Sequence, residues 1–156
     1  MPRLLTTPVA VLLGLGLLSG CGGGDDKKSD SASSSPKAKY ERQFVAALRP
    51  AQGAGTVANR INSGSTPESA AKVFDQVSMI YRQAYTGVKA IKAPKDIAGL
   101  HAQIGGVLSR LATDAGKVRD AIRNKDKFAR TVALADFKAQ GSRLQSLGQQ
   151  LTARGY

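Results

Sequence analysis

From Tyr40 onward, apolar residues recur at intervals that only a helix produces. Ala70, Phe74, Val77, Tyr81, Ala84, Val88 and Ile91 are spaced 4, 3, 4, 3, 4 and 3 residues apart, an a/d seam that a period-two strand cannot generate. Thr66 as N-cap, Pro67 at the first helical position and Glu68 near the positive dipole end mark its start. Lys89 and Lys92 in the last turn, with Pro94 just beyond, mark its end. A second seam runs through Ile97, Leu100, Ile104, Val107, Leu111, Ala115, Val118 and Ile122, capped by Asp96. A third helix spans about 127–154, capped by Asp126, and carries Phe128, Val132, Leu134, Phe137, Leu144, Leu147 and Leu151. Its stripe is less regular. Gly141 and Gly148 each weaken it by about 1 kcal/mol relative to Ala, or else admit a close neighbour. Ahead of these, Tyr40, Phe44, Leu48, Ala51, Val57 and Ile61 indicate a helix interrupted near Pro50, Gly53 and Gly55. Pro50 lacks an amide hydrogen and clashes with the preceding turn, so a kink or break is expected there.

Four helices of about 24–29 residues would each be roughly 40 Å long. The short connections near 62–66, 93–96 and 124–126 make neighbours antiparallel. The predicted fold is therefore all-α, an up-down-up-down antiparallel four-helix bundle with its first helix kinked or broken near Pro50. A three-helix bundle with a loose arm is the alternative if the break is complete. Gly105-Gly106 falls inside the second helix and reads as a packing notch.

Residues 1–39 differ in kind. Arg3 and the amino terminus make a positive n-region, no acid occurs before Asp25, and residues 9–18 form an unbroken run without a polar side chain. Ten residues are too few to span a bilayer but suit the h-region of a signal peptide. The run ends in Leu18-Ser19-Gly20-Cys21. This resembles the lipobox of bacterial lipoprotein precursors: an aliphatic residue, two small residues, then cysteine. The resemblance covers residues 1–21 and implies no fold for the rest of the chain. It implies that a peptidase cuts between Gly20 and Cys21 and that Cys21 carries a diacylglyceryl thioether. With further acyl chains such as palmitate, that anchor would hold the protein at the cell membrane on the extracytoplasmic face. An ordinary secretory signal with a chance cysteine, or a short uncleaved anchor, is the alternative. In proteobacterial relatives of this signal an Asp after the cysteine favours inner-membrane retention; here that residue is Gly22. Residues 22–39 hold no aromatic or large aliphatic side chain and are rich in Gly and Ser, so a flexible tether is expected. The organisation is then a signal over 1–20, a lipidated cysteine and tether over 21–39, and a helical domain over 40–156.

Composition narrows the chemistry. The 156 residues include one Cys, one His and no Trp. One cysteine permits no internal disulfide and no cysteine-based zinc site, and one histidine permits no histidine-pair metal motif. Glu41 and Glu68 lack the histidine three residues later that a di-iron site requires. Met79 and His101, the one possible haem pair, would be offset by about 9 Å along the hairpin, and His101 reads as a flanking, partly covered residue. The aspartates Asp75, Asp96, Asp114, Asp120, Asp126 and Asp136 read mostly as caps or surface positions. No catalytic residue, no metal and no cofactor is expected, and neither is enzymatic activity.

Charge is the remaining clue. The full chain carries a formal +12, and residues 40–156 contribute 18 Lys and Arg against 8 Asp and Glu, a surplus of ten. The bundle divides these cations between two ends: Arg42, Lys89, Lys92, Lys95 and Arg154 near the tether, and Arg119, Arg123, Lys125, Lys127 and Arg130 at the far end. Of these, Lys89, Lys92, Lys95, Arg119, Arg123, Lys125, Lys127 and Arg130 are the candidate contacts for an anion or partner. Export disfavours nucleic acid as that partner, and no aromatic residues interleave with the cations. Anionic lipid, a cell-wall polymer or an envelope protein remains. Solvated helix faces with basic C-termini would give the same composition without any ligand. The leading reading is a lipid-anchored, non-catalytic helical module binding an envelope partner or anionic surface. The alternative is a small apolar ligand carrier or sensor whose bundle core opens between Tyr81, Ala84, Tyr85, Gly87 and Gly105.

Overall fold

Every regular element among the described residues is a helix. The computed structural model describes residues 35–156, and the lipobox with Gly20 and Cys21 lies outside them, as does the tether up to residue 34. Helix α1 (Pro36–Gln52) is capped by the Ser35 hydroxyl and is followed, after Gly53, by the single turn α2 (Ala54–Ala58). Next come α3 (Pro67–Lys89), a 3₁₀ turn (Lys95–Ile97), α4 (Ala98–Arg123) and α5 (Lys127–Ala153). The helix start at Pro36 lies four residues ahead of Tyr40, inside the stretch expected to be tether.

Helix α4 is the centre of the body, packed between α3 and α5, while α1 and α2 pack on α3. The second seam is buried at every position, Ile97 through Ile122, and Leu108 joins it. The α3 seam is buried at Phe74, Val77, Tyr81, Ala84 and Val88 and half-buried at its two ends, Ala70 and Ile91. Between α3 and α4 the buried Ser78 hydroxyl donates to the Ala112 carbonyl at 2.7 Å, and Arg119 meets Asp75 at 2.6 Å. Phe137 of α5 makes edge contacts with Phe74 and Tyr81, centroids 6.3 and 5.9 Å apart. Each fully buried Leu, Ile or Val in this seam contributes up to about 1.5–3 kcal/mol. Among the described residues the buried core lies between Tyr40 and Leu151, so the compact unit Ser33–Tyr156 has a hydrophobic core of its own.

The first helix breaks where expected. Pro50 sits in the last turn of α1, and the Gly53 amide closes on the Pro50 carbonyl at 3.0 Å. The arm is not loose, because Tyr40, Phe44, Ala51 and Ala54 are all buried. The break shortens α1 to 17 residues, below the 24–29 expected of it. Gly87 provides the close approach that seats it: a methyl there would stand 3.1 Å from the Ala47 Cβ. Gly105, Gly106, Gly141 and Gly148 have no such neighbour, so the expected notch at 105–106 and the close approaches on α5 are absent.

Other expectations also change. Asp96 does not cap α4; the 3₁₀ turn moves Ile97 into the cap position, and the Asp96 carboxylate instead accepts the Tyr156 hydroxyl at 2.9 Å. Lys92 lies beyond α3, which ends at Lys89. The core stripe of α5 keeps Leu134, Phe137, Leu144, Leu147 and Leu151 of those read from the sequence and loses Phe128 and Val132. Ala133, Phe137, Gln140, Leu144, Leu147 and Leu151, spaced 4, 3, 4, 3 and 4, form its covered line with Leu134 beside it, whereas Phe128 is 80% and Val132 44% exposed. Gln140 takes a seam position without a partner for its buried Oε1.

Candidate functional site

The two ends of the body are built differently. At one end, α1, α4 and the end of α5 bring an aromatic cluster together. The Tyr40 ring stacks on Phe44 and meets Tyr156 edge-on, with centroids 5.4 and 5.6 Å apart. The Tyr40 hydroxyl and His101 Nδ1 are 3.1 Å apart. His101 is therefore a buried, bonded core residue, not the partly covered flank expected of it. Burial lowers its pKa, because the charged ring would lose its hydration; a backbone bond to Val88 opposes this. Burial, and secondarily the neighbouring Tyr156, pushes Tyr40 up to about 12. Three of the cations here have partners. Lys37 lies over the Tyr156 ring at 4.8 Å, Arg154 donates to the Asp96 carbonyl at 2.7 Å, and Lys89 lies over Tyr85 at 5.8 Å. Lys92, Lys95 and Arg42 are exposed.

At the other end, α4 stops and α5 starts. His101 and Arg123 on α4 are separated by about 33 Å along the axis. The α4 C-terminus closes in a Schellman motif: the Lys125 amide donates to the Ile122 carbonyl at 3.1 Å and the Asp126 amide to Ala121 at 2.9 Å. This requires a left-handed residue at position 125, and Lys125 adopts φ 57°, the only non-glycine to do so among the described residues. Asp126 then caps α5 by accepting the Ala129 amide at 2.9 Å. Arg123, Lys125, Lys127 and Arg130 thus emerge within two turns of chain, all exposed, with Asp126 as the one acid among them. Lys125, Lys127 and Arg130 rim a groove of about 330 Å³ floored by Ile61, Ala70, Ala121 and Ile122.

Arg119 does not belong with them. Its guanidinium bonds Asp120 at 2.8 and 3.1 Å and Asp75 at 2.6 Å, and these carboxylates raise its pKa further. The same bond lowers the pKa of Asp120. Asp114 is not at the surface either; it is buried and accepts Lys117 at 2.9 Å, which raises the pKa of that lysine. Lys89, Lys92 and Lys95 lie at the aromatic end, so the eight candidate contacts divide into four clustered cations, three distant ones and one structural arginine.

The residues proposed to line an apolar cavity do not border either of two open grooves. Tyr81, Ala84 and Gly105 are buried, and Tyr85 and Gly87 half-buried. The larger groove, about 690 Å³, is lined on α3 by Gln76, Met79, Ile80, Arg82, Gln83 and Thr86 and opens broadly to solvent. Met79 is 64% exposed, whereas His101 is buried. No group of three or more metal-ligating side chains occurs among the described residues, and none of the described helices is long and apolar enough to cross a membrane.

Sequence reasoning placed Phe128 in the α5 seam and so overlooked it as a surface feature. Its position one residue after Lys127, in the first turn of α5, gave the signal: the true seam begins only at Ala133. Comparison with protein-family models, with curated proteins and with solved structures gave no match to this chain.

Proposed function

We propose that the chain is a lipid-anchored, non-catalytic helical bundle of the extracytoplasmic face whose basic end binds an anionic envelope surface. The observation that carries the binding reading is the cluster of Arg123, Lys125, Lys127 and Arg130 around one helix junction, all exposed, with Asp126 committed to a helix cap and Asp120 to Arg119. Such a cluster near an anionic leaflet contributes about 1 kcal/mol per cation. Lys125 adds to this: a lysine in the left-handed region costs about 1 kcal/mol relative to glycine, so stability is given up where a cation is displayed. The non-catalytic reading is supported by the lone histidine, which is buried and engaged by Tyr40. The anchor rests on the lipobox resemblance of Leu18-Ser19-Gly20-Cys21.

The same reading orders α1, α3, α4 and α5 as an up-down-up-down antiparallel bundle. Ser78 beside Ala112 and Asp75 beside Arg119 support it for α3 and α4, since partner numbers fall on one helix as they rise on the other, and Arg154 beside Asp96 supports it for α4 and α5.

Two measurements test the proposal. Intact mass of the full chain from a bacterial host should show a mature protein beginning at lipidated Cys21, and Cys21→Ser should lose both the lipid mass and membrane retention. Unchanged retention of that variant would overturn the anchor. Binding of the Ser33–Tyr156 unit to vesicles containing phosphatidylglycerol should weaken steeply with salt; equal binding to neutral vesicles at all ionic strengths would overturn the electrostatic reading.

A further inference from the structure

We infer that Phe128 is a membrane wedge: the basic end docks on an anionic lipid bilayer and places this ring among the acyl chains, an inference that rests on the proposed binding of the basic end to an anionic surface. Phe128 is the most exposed of the large hydrophobic side chains among the described residues, at 80%. It stands in the first turn of α5, and Val132, also exposed, lies one helical turn later. The next positions on this outer stripe, Ala135 and Ala139, are exposed as well, so the spacing 4, 3, 4 repeats on the face opposite the covered seam. An apolar ring in water loses the hydrophobic stabilisation that every buried residue of the core gains.

The surroundings of the ring identify its partner. Lys125 precedes it by three residues, Lys127 adjoins it, Arg130 comes two residues after it and Arg123 precedes it by five; all four are exposed. The acids nearby are in use, Asp126 on the Ala129 amide and Asp120 on Arg119. A projecting aromatic ring at a helix junction that also carries the exposed Arg123, Lys125 and Lys127, with Arg130 on the groove side of α5, is complementary to a surface that is anionic outside and apolar beneath. A bilayer with acidic headgroups has that profile, whereas a hydrated wall polymer offers anions without an apolar interior. A second copy of this chain would bring a second set of four cations against the first. The charge pattern therefore favours lipid over polymer and over self-association.

The chain lacks tryptophan, so Phe128→Trp introduces a single indole reporter at the proposed point of entry. In the Ser33–Tyr156 unit of that variant, phosphatidylglycerol vesicles should shift emission to the blue, and brominated acyl chains should quench it. Phosphatidylcholine vesicles should do neither. Phe128→Ala should weaken binding to the anionic vesicles about tenfold or more. Val45→Ala, at an exposed apolar residue of α1, should leave it unchanged, with helicity and thermal midpoint kept in both. If anionic vesicles bind in a salt-dependent way while the indole stays in water and Phe128→Ala binds like the parent, the wedge is wrong and the charge reading stands. Absence of binding at low salt defeats both. A blue shift that grows with protein concentration without lipid, or binding to an anionic wall polymer alone, also overturns the wedge.

Discussion

The two ends of the helical body treat their aromatic rings differently. At the aromatic end, Tyr40, Phe44, His101 and Tyr156 pack on one another, and Lys37 and Arg154 find partners within the fold. At the basic end, Phe128 packs on nothing comparable, and four cations face solvent. The helix terminations repeat the contrast. Both α4 and α5 end in Schellman motifs; that of α5 places Gly155 at φ 80°, while that of α4 places Lys125 at φ 57°. One end uses the residue that stability prefers and the other does not. Exposure of an apolar ring and of unpaired charge at the same place is what a contact surface requires and what a folded core avoids.

The largest effect expected from this contrast separates the two aromatics. Tyr40→Ala should lower unfolding free energy by about 3–5 kcal/mol, because it empties a buried site among Phe44, His101 and Tyr156. Phe128→Ala should change it by less than about 0.5 kcal/mol. Urea denaturation of both variants checks this, and similar losses in the two would erase the distinction.

Titration sharpens the comparison next. The His101 pKa is lowered in the fold, so the folded state prefers the neutral ring. Its contribution is whole above about pH 6.5, the unfolded value, and is lost as pH falls through the lower folded value. Tyr40 behaves in the opposite sense: raised from 10 to about 12, it contributes fully below pH 10 and loses that contribution as pH climbs to about 12. Thermal midpoints should therefore decline on both sides, the alkaline decline being reduced in Tyr40→Phe. An alkaline profile identical in parent and variant would remove Tyr40 as its source.

Smaller effects come from single groups. Gln140→Leu should raise stability by about 1–2 kcal/mol by removing a buried carbonyl oxygen that has no partner. Chemical denaturation showing a loss would mean that the amide is satisfied. At the two Schellman motifs the signs should oppose: Gly155→Ala should destabilise by about 1 kcal/mol and Lys125→Gly should stabilise by about the same. Equal signs in thermal melts would show that backbone strain is not what distinguishes them.

Much of the helical body was legible because its signals are local or periodic. Thr66 and Asp126 cap the helices they were expected to cap, at 3.1 and 2.9 Å, and the α4 seam is buried position by position. The α5 seam was legible at Leu134, Phe137, Leu144, Leu147 and Leu151 but not at Ala133, which is small, or Gln140, which is polar, while Phe128 and Val132 carry a strong hydrophobic signal on the wrong face. His101 was misplaced for a related reason. Its burial depends on Tyr40, 61 residues away, and no spacing rule joins them. Arg119 looked like the other cations until Asp75, on a different helix, claimed it. Asp96 was read as a cap because the 3₁₀ turn that displaces it leaves no mark in the pattern.

The central claim, that the basic end is the binding end, is tested most directly by reversing charge at each end separately. Binding of the Ser33–Tyr156 unit to phosphatidylglycerol vesicles at low salt would be measured for Lys125→Glu with Lys127→Glu and Arg130→Glu, and for Lys89→Glu with Lys92→Glu and Lys95→Glu. Each triple variant changes the net charge by the same amount. The basic-end variant should lose about a hundredfold or more in affinity, and the aromatic-end variant much less. Equal losses would show that only net charge matters and would contradict the account.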